Sequence, residues 1–210
     1  MQRLRITYTK TAALRYTSNL DIHRIWERSL RRARLSLAYS LGFHPQPKLI
    51  QACPLPLGLT SHAEMIDVWL ETETTPAELS AALQPALPPG LELQAVEPVE
   101  LLAPSLPKQV TSADYIATLL DPVDEALLAE RVTALLAAAE LRREYRGKNY
   151  DMRPLVEGLS LLPPDEQGRA RLAMRLATRE SATGRTDEVL SALGYDPYDV
   201  RVDRFKLILG

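Results

Sequence analysis

Two-residue hydrophobic alternation gives way to helical spacing and back again in a fixed order, and that order occurs twice along the 210 residues. Leu4, Ile6 and Tyr8 alternate with Arg3, Arg5 and Thr7, which predicts a half-buried strand that resumes through Ala13 to Thr17. Ser18 with Asp21 fits a capping box. Ile22, Ile25, Trp26, Ser29, Leu30 and Ala33 follow along one helical face. Residues 37–53 read as extended and turn-rich, and Met65 to Leu70 as a strand. Thr75, Pro76 and Glu78 form a capping box ahead of a second helix stopped by Pro88, Pro89 and Gly90, and Leu91 to Val99 is a further strand.

After a linker marked by Pro98, Pro104 and Pro107 the order starts again. Tyr115 to Leu120 is a strand, Asp121 and Pro122 open a helix through Ala139, and Arg142 to Tyr150 is extended. Arg171 to Thr178 alternates as a strand, Thr186 to Leu193 is a short helix ended by Gly194, and Val200 to Leu209 is the closing strand. Strand, helix, strand, strand, helix, strand is the split βαβ order. The expected fold is therefore α+β, with two ferredoxin-like (βαββαβ) halves in tandem, residues 1–103 and 104–210. The halves share element order and no residue-level identity.

Charge is distributed unevenly over this frame. Residues 1–63 hold ten Lys and Arg against Asp21 and Glu27, whereas residues 64–130 hold thirteen acids against Lys108 alone. A local positive surplus on a chain of net charge −2 points to a polyanion. On the first helix Arg24, Arg28 and Arg31 fall at i, i+4 and i+7 and so share a face, flanked by Arg32 and Arg34. Arginine's planar fork suits phosphate and stacks on bases. Arg15, Ser18 and Asp21 precede the stripe, and Tyr39, Ser40, His44 and Lys48 follow it around the turn at Gly42 and Pro45. The whole set is the expected anion-binding surface. Tyr39 and His44 are candidates for base stacking, while Phe43 is expected to pack beneath the sheet.

The second half carries its own basic cluster with interleaved tyrosines: Arg142, Arg143, Arg146, Lys148 and Arg153 with Tyr145 and Tyr150. Arg143, Lys148 and Arg153 are candidates for a single-stranded nucleic acid. Arg185, in the turn Thr183 to Thr186, is a candidate for one phosphate at the short helix that follows.

Other chemistries lack their residues. Cys53 is the only cysteine, and the three histidines show neither HExxH nor i, i+4 pairing, so no metal site or cofactor is expected. There is no GxxxxGK[ST], GxGxxG or GxSxG. The amino terminus lacks the apolar stretch of a secretory signal and no apolar run is long enough to span a bilayer, so a cytoplasmic location without membrane contact is expected.

The string LRYTSNLDIHRIWERSLRRARLSLAYSLGFHPQPKL, followed by PLPLGLTSHAEMID, resembles the radical-SAM-linked (radical-SAM-associated) protein family of uncharacterised function. The resemblance runs through Tyr16, Ser18, Leu20, Asp21, Glu27, Arg28, Arg31, Arg32 and Ala33, then Tyr39, Ser40, Gly42, Phe43 and Pro45. It continues in Pro56, Leu57, Gly58, Ser61, Glu64 and Asp67, and more thinly to the end. It implies a unit that is fused to a radical-SAM protein or works as the separate partner of one. The chain lacks the CxxxCxxC that would hold the cluster. Charge and resemblance together lead to the expectation of a non-catalytic RNA-binding or substrate-presenting partner of a separately encoded radical-SAM enzyme. One alternative is a metal-independent RNA-processing nuclease of paired ferredoxin-like architecture, with His44 or His23 as general base. Another is a subunit that docks on the radical-SAM protein without touching RNA.

Overall fold

The computed structural model describes all residues except Arg146, Glu180 and Ser181 and the side chains of Tyr145 and Lys148. The protein is α+β, and its chain divides into two compact units, Met1–Gln109 and Val110–Gly210.

In the first unit β1 (Gln2–Lys10), α1 (Asn19–Arg32), β2 (Leu49–Gln51), β3 (Thr60–Leu70), α2 (Pro76–Leu83) and β4 (Leu91–Val99) are followed by a single-turn helix α3 (Leu106–Gln109). Strand β1 pairs antiparallel with both β3 and β4, and β2 pairs with the far side of β3. Because side chains alternate across a strand, Leu4, Ile6 and Tyr8 of β1 share a face with Ile66, Val68 and Leu70 of β3. That face is buried under Ile22, Trp26 and Leu30 of α1 and Leu79 and Leu83 of α2. The Trp26 and Tyr8 rings meet edge to face, 4.8 Å apart.

The opposite face is polar and buried as well. Arg5 lies across from Asp67, and Arg3 across from Trp69. Arg3 Nη2 is 2.6 Å from Asp67 Oδ2 and Arg5 Nε is 2.8 Å from Oδ1, with the Asp67 side chain wholly inaccessible. Arg3 also donates to the carbonyls of Ala103 and Pro104, and Arg5 to Gln109 Oε1, so the 100–109 segment is fastened over this face. Lys10 is buried too, its ammonium donating to the carbonyls of Arg15, Thr17 and Leu59. Three of the ten cations in the first 63 residues are thus interior, and the surface surplus is smaller than the sequence count implies.

The expected strand continuation at Ala13–Thr17 is instead a 3-10 turn, Ala12–Leu14. Leu14 packs against the core cluster, and Thr11 N–H donates to the Gly90 carbonyl at 2.9 Å. Gly90 needs its left-handed backbone at φ +102°, and a Cβ there would lie 2.6 Å from Leu14 Cγ. Thr75 and Glu78 form the complete capping box expected, whereas at α1 only half of the expected box forms: Ser18 Oγ accepts from Asp21 N–H, and its hydroxyl donates to the Asp21 carboxylate.

Helix α1 ends in a Schellman motif, with Arg34 N–H donating to the Arg31 carbonyl and Leu35 N–H to that of Leu30. The left-handed position falls on Arg34, at φ 57°. A side chain there costs about 1–2 kcal/mol relative to glycine, partly offset by the roughly 0.4–1 kcal/mol that glycine's extra freedom in the unfolded chain takes back. Arg34→Gly is therefore expected to be more stable than Arg34→Ala by about 0.5–1 kcal/mol. Equal urea midpoints for the two variants would contradict this.

The second unit contains β5 (Val110–Leu119), α4 (Glu125–Ala137), β6 (Arg142–Tyr145), β7 (Lys148–Asp151), β8 (Val156–Leu162), β9 (Arg171–Arg179), β10 (Ala182–Thr183), α5 (Thr186–Ala192) and β11 (Val200–Leu209). Strand β5 pairs antiparallel with β9 and β11, and β8 and β10 pair with β9. Leaving β6, β7 and β10 aside, the first strand of each unit is flanked by its third and fourth, with the second on the far side of the third. The expected extended segment at 142–150 is a hairpin whose strands, among the described residues, pair only with each other. The second-strand place belongs to β8, whose sequence VEGLSLL lacks clear alternation. Helix α4 starts later than expected: the cap is Asp124, accepting from Ala126 and Leu127 N–H, not Asp121.

Between β8 and β9 the turn is closed by Asp165, which accepts from the Arg169 side chain and from the backbone N–H of Arg169 and Gln167. The guanidinium first, then the Arg169 N–H, holds its carboxyl down to about 2. A depressed carboxyl stabilises the fold above its unfolded pKa, and that contribution disappears as pH falls through the folded value. An NMR titration should place Asp165 near about 2, and Arg169→Ala should return it toward the ordinary carboxylate range. An unshifted midpoint in the parent chain would discredit the turn.

Candidate nucleic-acid interface

Ile22, Trp26 and Leu30 turn inward, and the remaining arc of α1 therefore faces solvent with Arg24, Arg28, Arg31 and Arg32 on it. Arg24 makes an exposed ion pair with Asp21 at 3.3 Å, an i, i+3 contact of little strength in water. Among the described residues no carboxylate forms an ion pair with Arg28, Arg31 or Arg34. Asp67 is taken by Arg3 and Arg5 on the sheet face opposite α1. Arg32 donates to the Ala86 carbonyl at 3.2 Å and so fastens α1 to the end of α2. Arg31, Arg32 and Arg34 also sit where the α1 dipole favours cations.

Five residues beyond Arg34 the chain enters a closed loop. Tyr39 bridges Pro47, Ser40 N–H donates to the Gln46 carbonyl at 2.8 Å, and Gln46 N–H donates to Ser40 Oγ at 3.0 Å. Lys48 N–H donates to the Ala38 carbonyl at 2.7 Å, and Ala38 N–H to that of Trp69. Ser40 is thus the latch of the loop. Lys48 extends over the Trp69 ring at 4.9 Å, with Arg3 over the same ring at the same distance. The tip carries Leu41, Gly42, Phe43 and His44, all exposed, and Tyr39 is 46% exposed. Phe43 does not pack beneath the sheet as expected. It stands out in solvent at 102% exposure, as does Leu41, because Gly42 at φ +135° and the extended residue required before Pro45 carry the tip away from the sheet.

The other predicted residues are placed differently. Ser18 and Asp21 cap α1, and Arg15 is half-buried with its carbonyl accepting from Gly58 N–H and Lys10 Nζ. In the second unit Arg143 lies 3.7 Å from Glu188, Arg185 is 2.6 Å from Asp187, and Arg142 pairs with Glu140. Arg153 donates to the carbonyls of Leu136 and Val156, which closes the end of α4. Tyr150 is drawn toward the same acids: burial first, then Glu188, raises its phenol. These cations meet acceptors of their own chain, as do Arg24 and Arg32 on α1, whereas Arg28, Arg31 and Arg34 meet no carboxylate among the described residues. Arg146 and the side chains of Tyr145 and Lys148 lie outside the described residues. The phosphate expected at α5 meets Asp187 and Glu188 in its first turn.

A trough of about 430 Å³ on the second unit's sheet holds Asp114, Glu157, Arg175 and Phe205. Arg175 is bidentate on Asp114, and Arg179 reaches Glu157, so the trough offers no surplus charge. His23 lies on α1, 3.7 Å from Glu27. Among the described residues no group of His, Cys, Asp and Glu is arranged to hold a metal ion. None of their helices is long and apolar enough to cross a membrane.

Helical spacing pointed to the ridge and the aromatic turn to Tyr39 and His44, while the exposure of Leu41 and Phe43 at the tip was not foreseen. The available signal was two large apolar residues on either side of a glycine, in a segment too short to reach the core. No curated protein matches the chain. Among solved structures, a protein described as a glycine cleavage system transcriptional repressor aligns over 100% of this chain and 98% of its own at 12% identity and a TM-score of 0.26. The family model for an uncharacterized protein conserved in bacteria, DUF2344, matches residues 3–186, and the chain belongs to that family.

Proposed function

We propose that this chain is a non-catalytic module that binds RNA and presents it to a separately encoded radical-SAM protein in the cytoplasm. We read its two units as ferredoxin-like halves in tandem, from their shared strand order. One observation carries the RNA reading: Arg28, Arg31 and Arg34 are exposed, and no carboxylate among the described residues forms an ion pair with them. Like charges at helical spacing repel, and an anion that lies along them relieves the repulsion. The radical-SAM partnership rests on the resemblance of the Arg15 to Asp67 segment.

Affinity for RNA across a salt series tests the first claim, because displaced counterions make log affinity fall linearly with log salt. Absence of binding at low salt rejects it. For the second claim, co-purification with the radical-SAM protein at high salt is the expected result. Exposed Leu41 and Phe43 favour a different reading, docking on that protein without RNA, and retention of the protein with no RNA affinity would select it.

A further inference from the structure

We infer that the RNA held by this surface is single-stranded, gripped by base stacking on the Phe43 tip while the α1 ridge follows its phosphates. This rests on the RNA-binding reading above and names the form of RNA.

Phosphate contact alone does not distinguish a single strand from a duplex, and the ridge would serve either. The tip distinguishes them. Phe43 and Leu41 are exposed as fully as in an unfolded peptide, although a buried place for both is the ordinary outcome of folding. Within six residues the loop also offers the half-exposed Tyr39 ring and the exposed His44 imidazole. Three flat rings on one latched loop suit flat ligands. Bases inside a duplex are already stacked and hidden, whereas the bases of a loop or single strand are free to stack on aromatic side chains. Each such contact is worth about 5- to 150-fold in affinity and tolerates any base. A lipid surface would also take Leu41, Phe43 and the Tyr39 ring, and the vesicle arm of the test below separates it from a single strand.

Preorganisation favours the same ligand. The Ser40 and Gln46 bonds and the Tyr39 and Pro47 bridge fix the loop before anything binds, so little ordering entropy is lost on stacking. From Arg34 to Tyr39 is five residues, at most about 17 Å, and a strand leaving the ridge therefore meets the tip directly. Arg34 stands at that junction as an exposed cation, at a backbone position that glycine would fill with less strain.

Fluorescence anisotropy with a labelled oligouridine, the same length of duplex RNA, and vesicles of phosphatidylserine and phosphatidylcholine tests this. The single strand should bind at least about tenfold tighter than the duplex. Phe43→Ala should lower single-strand affinity by about 5- to 150-fold, leave duplex affinity alone, and leave the salt slope unchanged. The side chain touches nothing that folds the unit, so circular dichroism and melting should match the parent. Equal affinity for both RNA forms with a neutral Phe43→Ala would overturn this inference and leave the basic-ridge reading standing. No RNA binding at low salt overturns both, as does Phe43-dependent vesicle binding in its place.

Discussion

Replacing Asp67 with alanine is expected to destabilise the first unit by about 3–5 kcal/mol. The carboxylate is inaccessible and receives Arg3 at 2.6 Å and Arg5 at 2.8 Å, and removing it leaves two guanidinium groups in the interior without an anion. The desolvation of each was offset by that one partner, with the carbonyls of Ala103 and Pro104 for Arg3 and Gln109 Oε1 for Arg5. In a unit of about this size, 1 kcal/mol corresponds to roughly 4–8 °C, so melting should fall by about 15 °C or more. A companion variant separates charge from packing. With Arg3→Met, Arg5→Leu and Asp67→Leu together, the buried charges vanish and stability should return most of the way, since buried ion pairs are often replaceable by apolar groups of similar volume. A loss below about 1 kcal/mol in Asp67→Ala would show that water reaches the pair and that the 100–109 segment does not seal it.

The same residues show how far the sequence could be read. Alternation of Leu4, Ile6 and Tyr8 reported the core face of β1 correctly because helices cover that face. It also implied that Arg3 and Arg5 were solvated, and only the pairing of β1 with β3 reveals that Asp67 faces them. That pairing spans more than 60 residues and has no local signature. Local signals did well where the chemistry was local: Thr75 with Glu78 marked the start of α2, and Ser18 that of α1. They failed at β8, where Gly158 and Ser160 blur the alternation, and at the 142–151 hairpin, whose polar strands imitate a sheet strand but pair only with each other. For the candidate site, helical spacing was enough to align Arg24, Arg28 and Arg31. That Arg28 and Arg31 make no ion pair among the described residues, while Arg24 pairs with Asp21, was not legible, because spacing alone does not say which carboxylate a side chain meets.

That freedom has a measurable consequence. The triple variant Arg24→Ala, Arg28→Ala, Arg31→Ala should bind single-stranded RNA about 100-fold more weakly at 0.1 M salt, because three lost phosphate contacts at ~0.7 counterion each remove about two log units per tenfold change in salt. The slope of log affinity against log salt should become shallower by the same two units or so, a change that simple misfolding does not produce. Stability should stay within about 1 kcal/mol of the parent, since all three residues are exposed, and better helix propensity and the lost repulsion of Arg24 with Arg28 oppose the lost pair of Arg24 with Asp21 and Arg31's place at the helix end. Arg24 contributes despite its partner, because a phosphate displaces an exposed Asp21 at small cost. Lysine at the same three positions keeps the charge and should keep the slope, while losing the two-pronged grip and therefore part of the affinity. A triple alanine variant with parental affinity and slope would place the anion elsewhere. Arg34 and Lys48 of the first unit would then be left to supply the cations, or second-unit residues such as Arg143 and Arg185, which Glu188 and Asp187 already hold.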